Sequence, residues 1–386
     1  MPDALIVGAG PVGSYIAQKL AGLGYEVEVF EDHKVIGEPV QCSGIIGREC
    51  FERFDMPQNI VLTESKSAKF FSPTDRCLKL ATDGVQAYII DRKALDEAMA
   101  QRARDAGATY HLSTKVIDIS MGDDGVQVTT SNGSNLELHY AKVVIIASGF
   151  GSKLPYSLGL GRVSYYIAGA QMEVDITGVD EVELYFSQRI APGFFGWLIP
   201  TGGGKGLAGL FARSRPRQHL SKMIGNLRSK GKITTEGKIT AGGVPLKPLA
   251  RTYAERVLVV GDAAGQVKPT TGGGVYYGLL CADIAVDTLH QSFISNDFSK
   301  KTMSSYQKAW RKRLGRELKM GYLARRLYAK MNDRQIETLF KIAESKGIAH
   351  ILMESKNMRF DWHGGLLLES LKQIGPWRYF FSRHKS

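Results

Sequence analysis

Cysteine is scarce in this chain, with four residues, Cys42, Cys50, Cys77 and Cys281, and no pair at CxxC spacing. That rules out a disulfide-stapled scaffold and a thiolate metal centre, so no metal is expected, and it points to a reducing compartment. Long apolar runs are missing too. No uncharged stretch reaches the about 20 apolar residues that a membrane-spanning helix needs. The N-terminal Met-Pro-Asp runs straight into a strand pattern, without a basic n-region or a cleavage site, which predicts a cytoplasmic location. There is no internal repeat and no low-complexity tract. RRM, KH, helix-turn-helix and zinc patterns are also absent, so nucleic acid is not the expected partner.

What the chain does have is glycine. Its 43 glycines gather in tight groups, the pattern of a backbone that approaches a ligand closely. A length of 386 residues exceeds one simple core at about 150 residues per domain. With 44% hydrophobic and 23% charged residues, disorder is excluded as the main state. The formal charge of +12 is uneven: residues 300–386 hold 20 Lys/Arg against 7 Asp/Glu, whereas residues 1–299 hold 30 against 31. Such asymmetry describes a partner surface rather than a fold.

The first thirty residues read as a βαβ unit. Ala4-Leu5-Ile6-Val7 is a strand, Gly8-Ala9-Gly10-Pro11-Val12-Gly13 a turn, and Val12 to Leu23 a helix stopped by Gly24. Glu26 to Phe30 is the second strand, ending at Glu31. A lone G-x-G-x-x-G is weak evidence, but here it follows a strand, opens a helix and precedes an acidic residue eighteen positions past Gly13. The glycines then supply the tight turn, the close approach to a pyrophosphate and the helix–strand contact. The phosphate sits on the helix N–H groups, and Glu31 accepts the ribose hydroxyls. Arg92 to Ala106 has helical spacing, closed by Gly107. Residues 115–147 alternate with period two, turning at Gly122-Asp123-Asp124-Gly125 and Asn132-Gly133, as an antiparallel meander does. Its last strand, Val143 to Ala147, is apolar on both faces and belongs in a parallel sheet. A mixed strand-and-loop region runs to about residue 250. Val257 to Val260 then re-enters the parallel sheet, and helices are expected from about residue 275 to the end.

Gly261-Asp262-Ala263-Ala264-Gly265, followed by Pro269 and Gly272-Gly273-Gly274, looks like the second FAD motif of flavoproteins. There the Asp holds the ribityl chain, and the glycines open a helix whose N–H groups face the flavin N1/O2 edge. An NAD dehydrogenase needs no such second motif, so FAD is the expected cofactor. With Tyr88-Ile89-Ile90-Asp91-Arg92 heading a helix, the set resembles flavoproteins of the para-hydroxybenzoate hydroxylase type, in which the Arg lies near the FAD phosphates. A helix cap and a surface cation are the plainer reading of Asp91-Arg92. Pro39-Val40-Gln41-Cys42-Ser43-Gly44 looks like the Pro-x-x-Cys-x-Gly element of the geranylgeranyl reductase family. Phe195-Gly196-Trp197-Leu198-Ile199-Pro200, with Gly206 and Gly209 beyond it, is similar to that family's Tyr-x-Trp-x-Phe-Pro substrate motif. Phe195 stands for Tyr and Ile199 for Phe. The resemblance covers residues 1 to about 325.

The resemblance implies an α/β fold. A Rossmann-like FAD-binding domain of the glutathione reductase/para-hydroxybenzoate hydroxylase type would span 1–60, 91–155 and 250–300. An α+β antiparallel-sheet substrate domain would span 61–90 and 156–249, with a basic helical region at 301–386. FAD would rest on Gly8, Gly10, Pro11, Val12, Gly13, Glu31, Arg92, Val116, Gly149, Gly261, Asp262, Pro269, Gly272, Gly273 and Gly274. Cys42 would be the catalytic candidate on the flavin's substrate face; a buried inert thiol is its structural alternative. Phe195, Trp197 and Pro200 would form a loop lining the substrate pocket, with ordinary core aromatics as the alternative.

The implied activity saturates C=C bonds of a geranylgeranyl or prenyl chain on a lipid, a diphosphate, a chlorophyll precursor or a quinone. No second nucleotide fingerprint is visible, so electrons would come from transiently bound NAD(P)H or from ferredoxin. Two rivals stand beside this reading. One is a flavin monooxygenase or halogenase, since the segment 195–200 half-matches Trp-x-Trp-x-Ile-Pro, with Lys66 and Lys69 as poorly matched candidates for the halogenase lysine. The other is a non-catalytic flavin-binding redox partner. Arg311, Lys312, Arg313, Arg325 and Arg326 lie on a helix with Tyr322, Leu323 and Leu327 as an apolar side. That helix is either solvated or a contact with the anionic inner face of a membrane.

Overall fold

The computed structural model describes residues 1–122, 124–133, 135–354 and 359–365. The expected helicity of 355–358 and 366–386 lies outside the described residues. Two compact units form. One joins Met1–Val40, Arg92–Tyr166 and Val244–Leu318; the other joins Gln41–Asp91, Ile167–Gly243 and the chain from Lys319 onward.

The first unit is built on a six-stranded sheet. Its strand order is Tyr253–Ala254, Val257–Val259, Val143–Ile146, Ala4–Val7, Val27–Phe30 and Thr109–His111. All neighbours are parallel except the first pair. The three central strands, Val257–Val259, Val143–Ile146 and Ala4–Val7, are short, wholly apolar and buried on both faces, as inner parallel strands must be. Helix Pro11–Gly22 packs with Arg92–Asp105 and Val275–Ser295. On the other face lies the meander of Lys115–Met121, Val126–Asn132 and Asn135–Ala141, whose Val116, Ile119, Val126 and Val128 meet Leu5, Val7, Val144 and Ile146. The period-two reading of 115–147 predicts this face.

The second unit is an antiparallel-rich sheet in the order Ile233–Glu236, Tyr166–Ile176, Lys205–Ala212, Gly196–Gly202, Val182–Tyr185, Ser67–Phe71 and Cys77–Ala81, with Thr240–Pro245 pairing beside Tyr166–Ile176. A smaller sheet joins Ile45–Gly47, Ala87–Ile90 and Val61–Ser65. Helix Pro216–Ser229 corrects the strand-and-loop expectation for this region. Its Leu220, Met223, Ile224 and Leu227 recur at helical spacing and cover one face of the large sheet, against Met172, Leu198 and Leu210.

The long helix Lys300–Tyr328 buries Met303, Tyr306, Trp310, Leu314 and Leu318 along one stripe. Arg311, Lys312, Arg313 and Arg326 are exposed on it, and Arg325 is not. Arg325 is only 5% exposed, donates to the Gly193 carbonyl at 2.7 Å and lies over the Phe194 ring. This corrects its reading as a surface cation: a guanidinium spreads its charge over a flat face that stacks well on an aromatic ring. Among the described residues no helix is long and apolar enough to cross a membrane.

Candidate functional site

The nucleotide turn is fixed by what its glycines lack. A Cβ on Gly13 would lie 2.0 Å from the Gly8 carbonyl oxygen, and one on Gly8, at φ +105°, 2.6 Å from that of Ala147. Gly10 instead faces open space. Helix Pro11–Gly22 starts there without a side-chain cap, so its first N–H groups are left to an anion. The Ala9 N–H donates to Glu31 Oε2 at 2.8 Å, which aims the carboxylate across the turn. His33 holds the other oxygen through its own N–H at 3.0 Å.

The second motif meets the first through Val12. Its side chain nests in the hollow left by Gly278, where a Cβ would lie 2.6 Å from Val12 Cγ2, and touches Gly261. The Gly261 N–H donates to Gln266 Oε1 at 2.8 Å, and Gln266 in turn donates to the Tyr306 hydroxyl at 2.9 Å, which holds this turn from the core. A Cβ on Gly274 would strike Asp262 Oδ1 at 2.4 Å, so the glycine run makes room for the aspartate as well as opening helix Val275–Ser295. Burial pushes the Asp262 carboxyl up to about 6, with Arg92 pulling the other way. Among the described residues no protein group donates a hydrogen bond to that carboxylate. Such an acceptor suits a polyol chain, whose hydroxyls would satisfy it.

The other candidate contacts occupy varied settings. Arg92 is bound to Asp96 at 2.9 and 3.2 Å. Gly149, at φ +70°, faces open space, while Val116 is in the core beneath the meander. Pro269 is buried, and Gly272 and Gly273 close back on Lys268 through backbone bonds of 2.8 and 3.0 Å. One residue was not anticipated. Ser148, which follows strand Val143–Ile146 by two positions, has a buried hydroxyl without a partner among the described residues, beside Gly8. Strand-end position is the signal that would have found it.

In the second unit, Phe195 to Pro200 is not a pocket loop. Gly196–Gly202 is an inner strand of the large sheet. Gly196 is there because Met223 Sδ would lie 2.6 Å from its Cβ, and Thr63 Oγ1 donates to the Pro200 carbonyl at 3.2 Å, so both residues fit a strand. The side chains still gather. On the sheet face away from helix Pro216–Ser229, the Trp197 indole lies on Gly209, where a Cβ would sit 2.4 Å from the ring, and Phe211 lies on Gly169 at 2.8 Å. Phe195 adds its ring 6.4 Å from Trp197, and Trp197 and Phe211 are 5.0 Å apart. Two flat rings on two glycines make a smooth apolar floor with one polar atom. Trp197 is 6% exposed, and its Nε1 has no partner among the described residues.

Cys42 reaches the same face. Gln171, Gly209 and Trp197 occupy one row across three strands. Gln171, itself 6% exposed, donates to the Cys42 carbonyl at 3.2 Å. The Cys42 thiol is half-buried and accepts from the Gly44 N–H at 3.5 Å. Gly44, at φ +73°, is required because a Cβ would strike the Ile90 carbonyl at 2.5 Å. Gln171 is invisible to sequence reading because its role depends on strand register. Pro200 stands at the other end of the strand, on a polar cleft of about 400 Å³ shared with Thr63, Lys66 and Gly202. Lys69 pairs with Glu181 at 3.0 Å, and Lys66 is exposed.

The fold and the paired glycine motifs define a Rossmann-type flavoprotein of two units. Residues 6–69 match the NAD(P)-binding Rossmann-like domain. The chain is 30% identical to the digeranylgeranylglycerophospholipid reductase of Methanocaldococcus jannaschii, over 87% of this chain and 89% of the relative. It is 29% identical to digeranylgeranylglycerophospholipid reductase 2 of Methanothermobacter thermautotrophicus, over 90% and 93%. A geranylgeranyl bacteriochlorophyll reductase-like structure from Thermoplasma acidophilum has the same fold, with a TM-score of 0.87 at 23% identity over 97% of this chain and 96% of the other. A halogenase in complex with FAD shares the fold more distantly, at a TM-score of 0.70 and 14% identity over 91% and 82%. The chain belongs to the geranylgeranyl reductase family, a family of FAD-dependent oxidoreductases.

Proposed function

We propose that this chain binds FAD and saturates C=C bonds in the geranylgeranyl or related prenyl chains of a glycerophospholipid. The observation that carries this reading is the row Cys42, Gln171, Gly209 and Trp197. It brings two elements far apart in the sequence onto one apolar sheet face. The nucleotide turns fit FAD: open space at Gly10, an uncapped helix start, a carboxylate at Glu31 and an unsatisfied one at Asp262. Gly8, Gly10, Gly13, Glu31 and Asp262 would hold it, with Gly272, Gly273 and Gly274 at the start of the next helix.

Reduced FAD, when bound, supplies a hydride to one alkene carbon. The residues must do the rest. An isolated alkene has no carbonyl to polarise it, so its alignment and the exclusion of water account for much of the rate. The half-buried Phe195 and Phe211 rings, backed by the buried Trp197, would flank an apolar chain on this face. Cys42, held by Gln171 and Gly44, would deliver or relay the proton to the second carbon, directly or through a water. Electrons come from outside, from NAD(P)H or a ferredoxin-type carrier. The exposed Arg311, Lys312, Arg313 and Arg326 support approach to an anionic lipid surface. Lys69, held by Glu181, is a poor halogenase lysine, which weighs against that rival.

The test is spectroscopic. The purified protein should be yellow and release FAD rather than FMN or NAD. After anaerobic reduction, its flavin absorbance should return on adding a geranylgeranyl lipid. A colourless protein that binds NAD stoichiometrically, or a reduced flavin that only oxygen reoxidises, would refute it.

A further inference from the structure

The meander of the first unit ends in an edge that proteins ordinarily protect. Strand Asn135–Ala141 pairs with Val126–Asn132 on one side and with no strand on the other, among the described residues. Exposed edges are usually blunted with lysine, proline or a bulge. This one carries Leu136, Leu138 and Tyr140 at alternate positions, 67%, 56% and 53% exposed. Across the other two strands that outer face is mostly polar, with Asp118, Ser120, Gln127, Thr129 and Ser131. Ile117 and Met121 on the opposite outer strand are exposed as well, at 45% and 44%, but within this sheet Asn135–Ala141 is the strand that sets three exposed apolar side chains at alternate positions along an unpaired edge.

The sequence of the strand is also complementary to itself. In an antiparallel pair with a second copy, centred on Leu138, Leu136 faces Tyr140 of the partner subunit and Glu137 faces His139 of the partner subunit. The apolar groups then meet on one face, and a carboxylate meets an imidazole on the other, twice over, as a two-fold axis requires. Moving the centre by one residue, to Glu137 or His139, would set like groups against each other on the axis. We propose that Asn135–Ala141 is a homodimer edge: a second copy of this chain adds its own strand there, in the register centred on Leu138, to make one continuous six-stranded sheet. A seven-residue edge is small, below the area of a permanent interface, so the dimer forms in the micromolar range and reversibly.

Sedimentation equilibrium of the full-length, FAD-loaded protein across micromolar concentrations tests this. Wild type should pass from monomer to dimer. Leu138→Lys, which sets two cations on the axis, should weaken the dimer at least about tenfold. Leu138→Thr, a strand former without the apolar surface, should weaken it less and serves if the lysine variant folds poorly. Glu137→Lys and His139→Glu should each weaken it, and the double exchange should restore it. In a Cys77→Ser background, which removes the exposed native thiol, Leu138→Cys should form a disulfide across the axis on mild oxidation with diamide. A monomer at every concentration, or a dimer indifferent to all these changes, overturns the proposal. So does a Leu138→Lys variant of unchanged mass that loses binding to anionic vesicles, since that assigns the stripe to a lipid surface.

Discussion

Gly209→Ala is a one-methyl test of the aromatic floor. The added carbon would lie 2.4 Å from Trp197 Cζ2, 2.5 Å from Cε2 and 2.7 Å from Nε1. Carbon pairs are comfortable at about 3.5–4.0 Å, so the indole must move by about 1 Å. Trp197 is buried among Ile89, Val182 and Ile199 and has little room to give. Overpacking of this kind costs about 1–3 kcal/mol, a fall of a few degrees in Tm for a chain of this size. The functional effect should be larger than the loss of stability. A displacement of about 1 Å in a positioning surface can cost about 10²-fold in the step that needs alignment. Stopped-flow measurement of the two half-reactions separates the effects: reoxidation by the prenyl lipid should slow by about that factor, and flavin reduction by the external donor should hold its rate. Trp197→Phe, with a smaller ring, should relieve the clash, so adding Gly209→Ala to it should cost less than adding it to wild type. A Gly209→Ala enzyme with lowered Tm but unchanged lipid-dependent reoxidation would show that the substrate does not lie on this floor.

Four further outcomes follow. Cys42→Ala should keep its fold and FAD but lose about 10²–10⁴-fold in lipid turnover, measured against an unchanged rate of flavin reduction. Gln171→Leu removes the bond to the Cys42 carbonyl and should lower kcat more than it raises KM, while Gln171→Glu, which lacks the amide donor, should fail to rescue it. Glu31→Arg replaces the acceptor of the Ala9 N–H with a cation and should weaken FAD binding, read by flavin fluorescence on titration. Asp262 has a folded pKa raised to about 6, above its unfolded value of 3.8, so its contribution to apo-protein stability is present below 3.8 and is lost as pH rises through about 6. Asp262→Asn should remove that dependence and stabilise the apo-protein at neutral pH by up to about 3 kcal/mol, while weakening FAD binding.

Much of the first unit was legible because its signals are local. Gly8, Gly10 and Gly13 lie within six residues, Glu31 ends the next strand, and the alternation over 115–147 reports one buried face directly. The second unit was harder for a physical reason. Glycine and proline at 196 and 200 suggest a loop, yet each has a tertiary cause within a strand: Gly196 makes way for Met223, and Pro200 is bonded from Thr63. Helix Pro216–Ser229 opens on Arg215 in the left-handed region and has few apolar residues outside its buried stripe, so its period is easily read as loop. The sequence counts Arg325 as one more cation of a basic segment, because the Gly193 carbonyl and Phe194 ring that hold it lie far away in the chain. Gln171 and Ser148 are ordinary polar residues until register and strand ends place them.

The central claim is that this protein adds a hydride and a proton across an unpolarised C=C bond. The most direct measurement is the mass of the lipid after anaerobic incubation of the FAD-loaded enzyme with a geranylgeranyl glycerophospholipid and a chemical reductant. The account predicts a gain of two hydrogens for each bond reduced, with the gain greatly diminished in Cys42→Ala and absent without enzyme. An unchanged lipid mass under those conditions, or a product that carries oxygen or halogen only when air or halide is admitted, would contradict it.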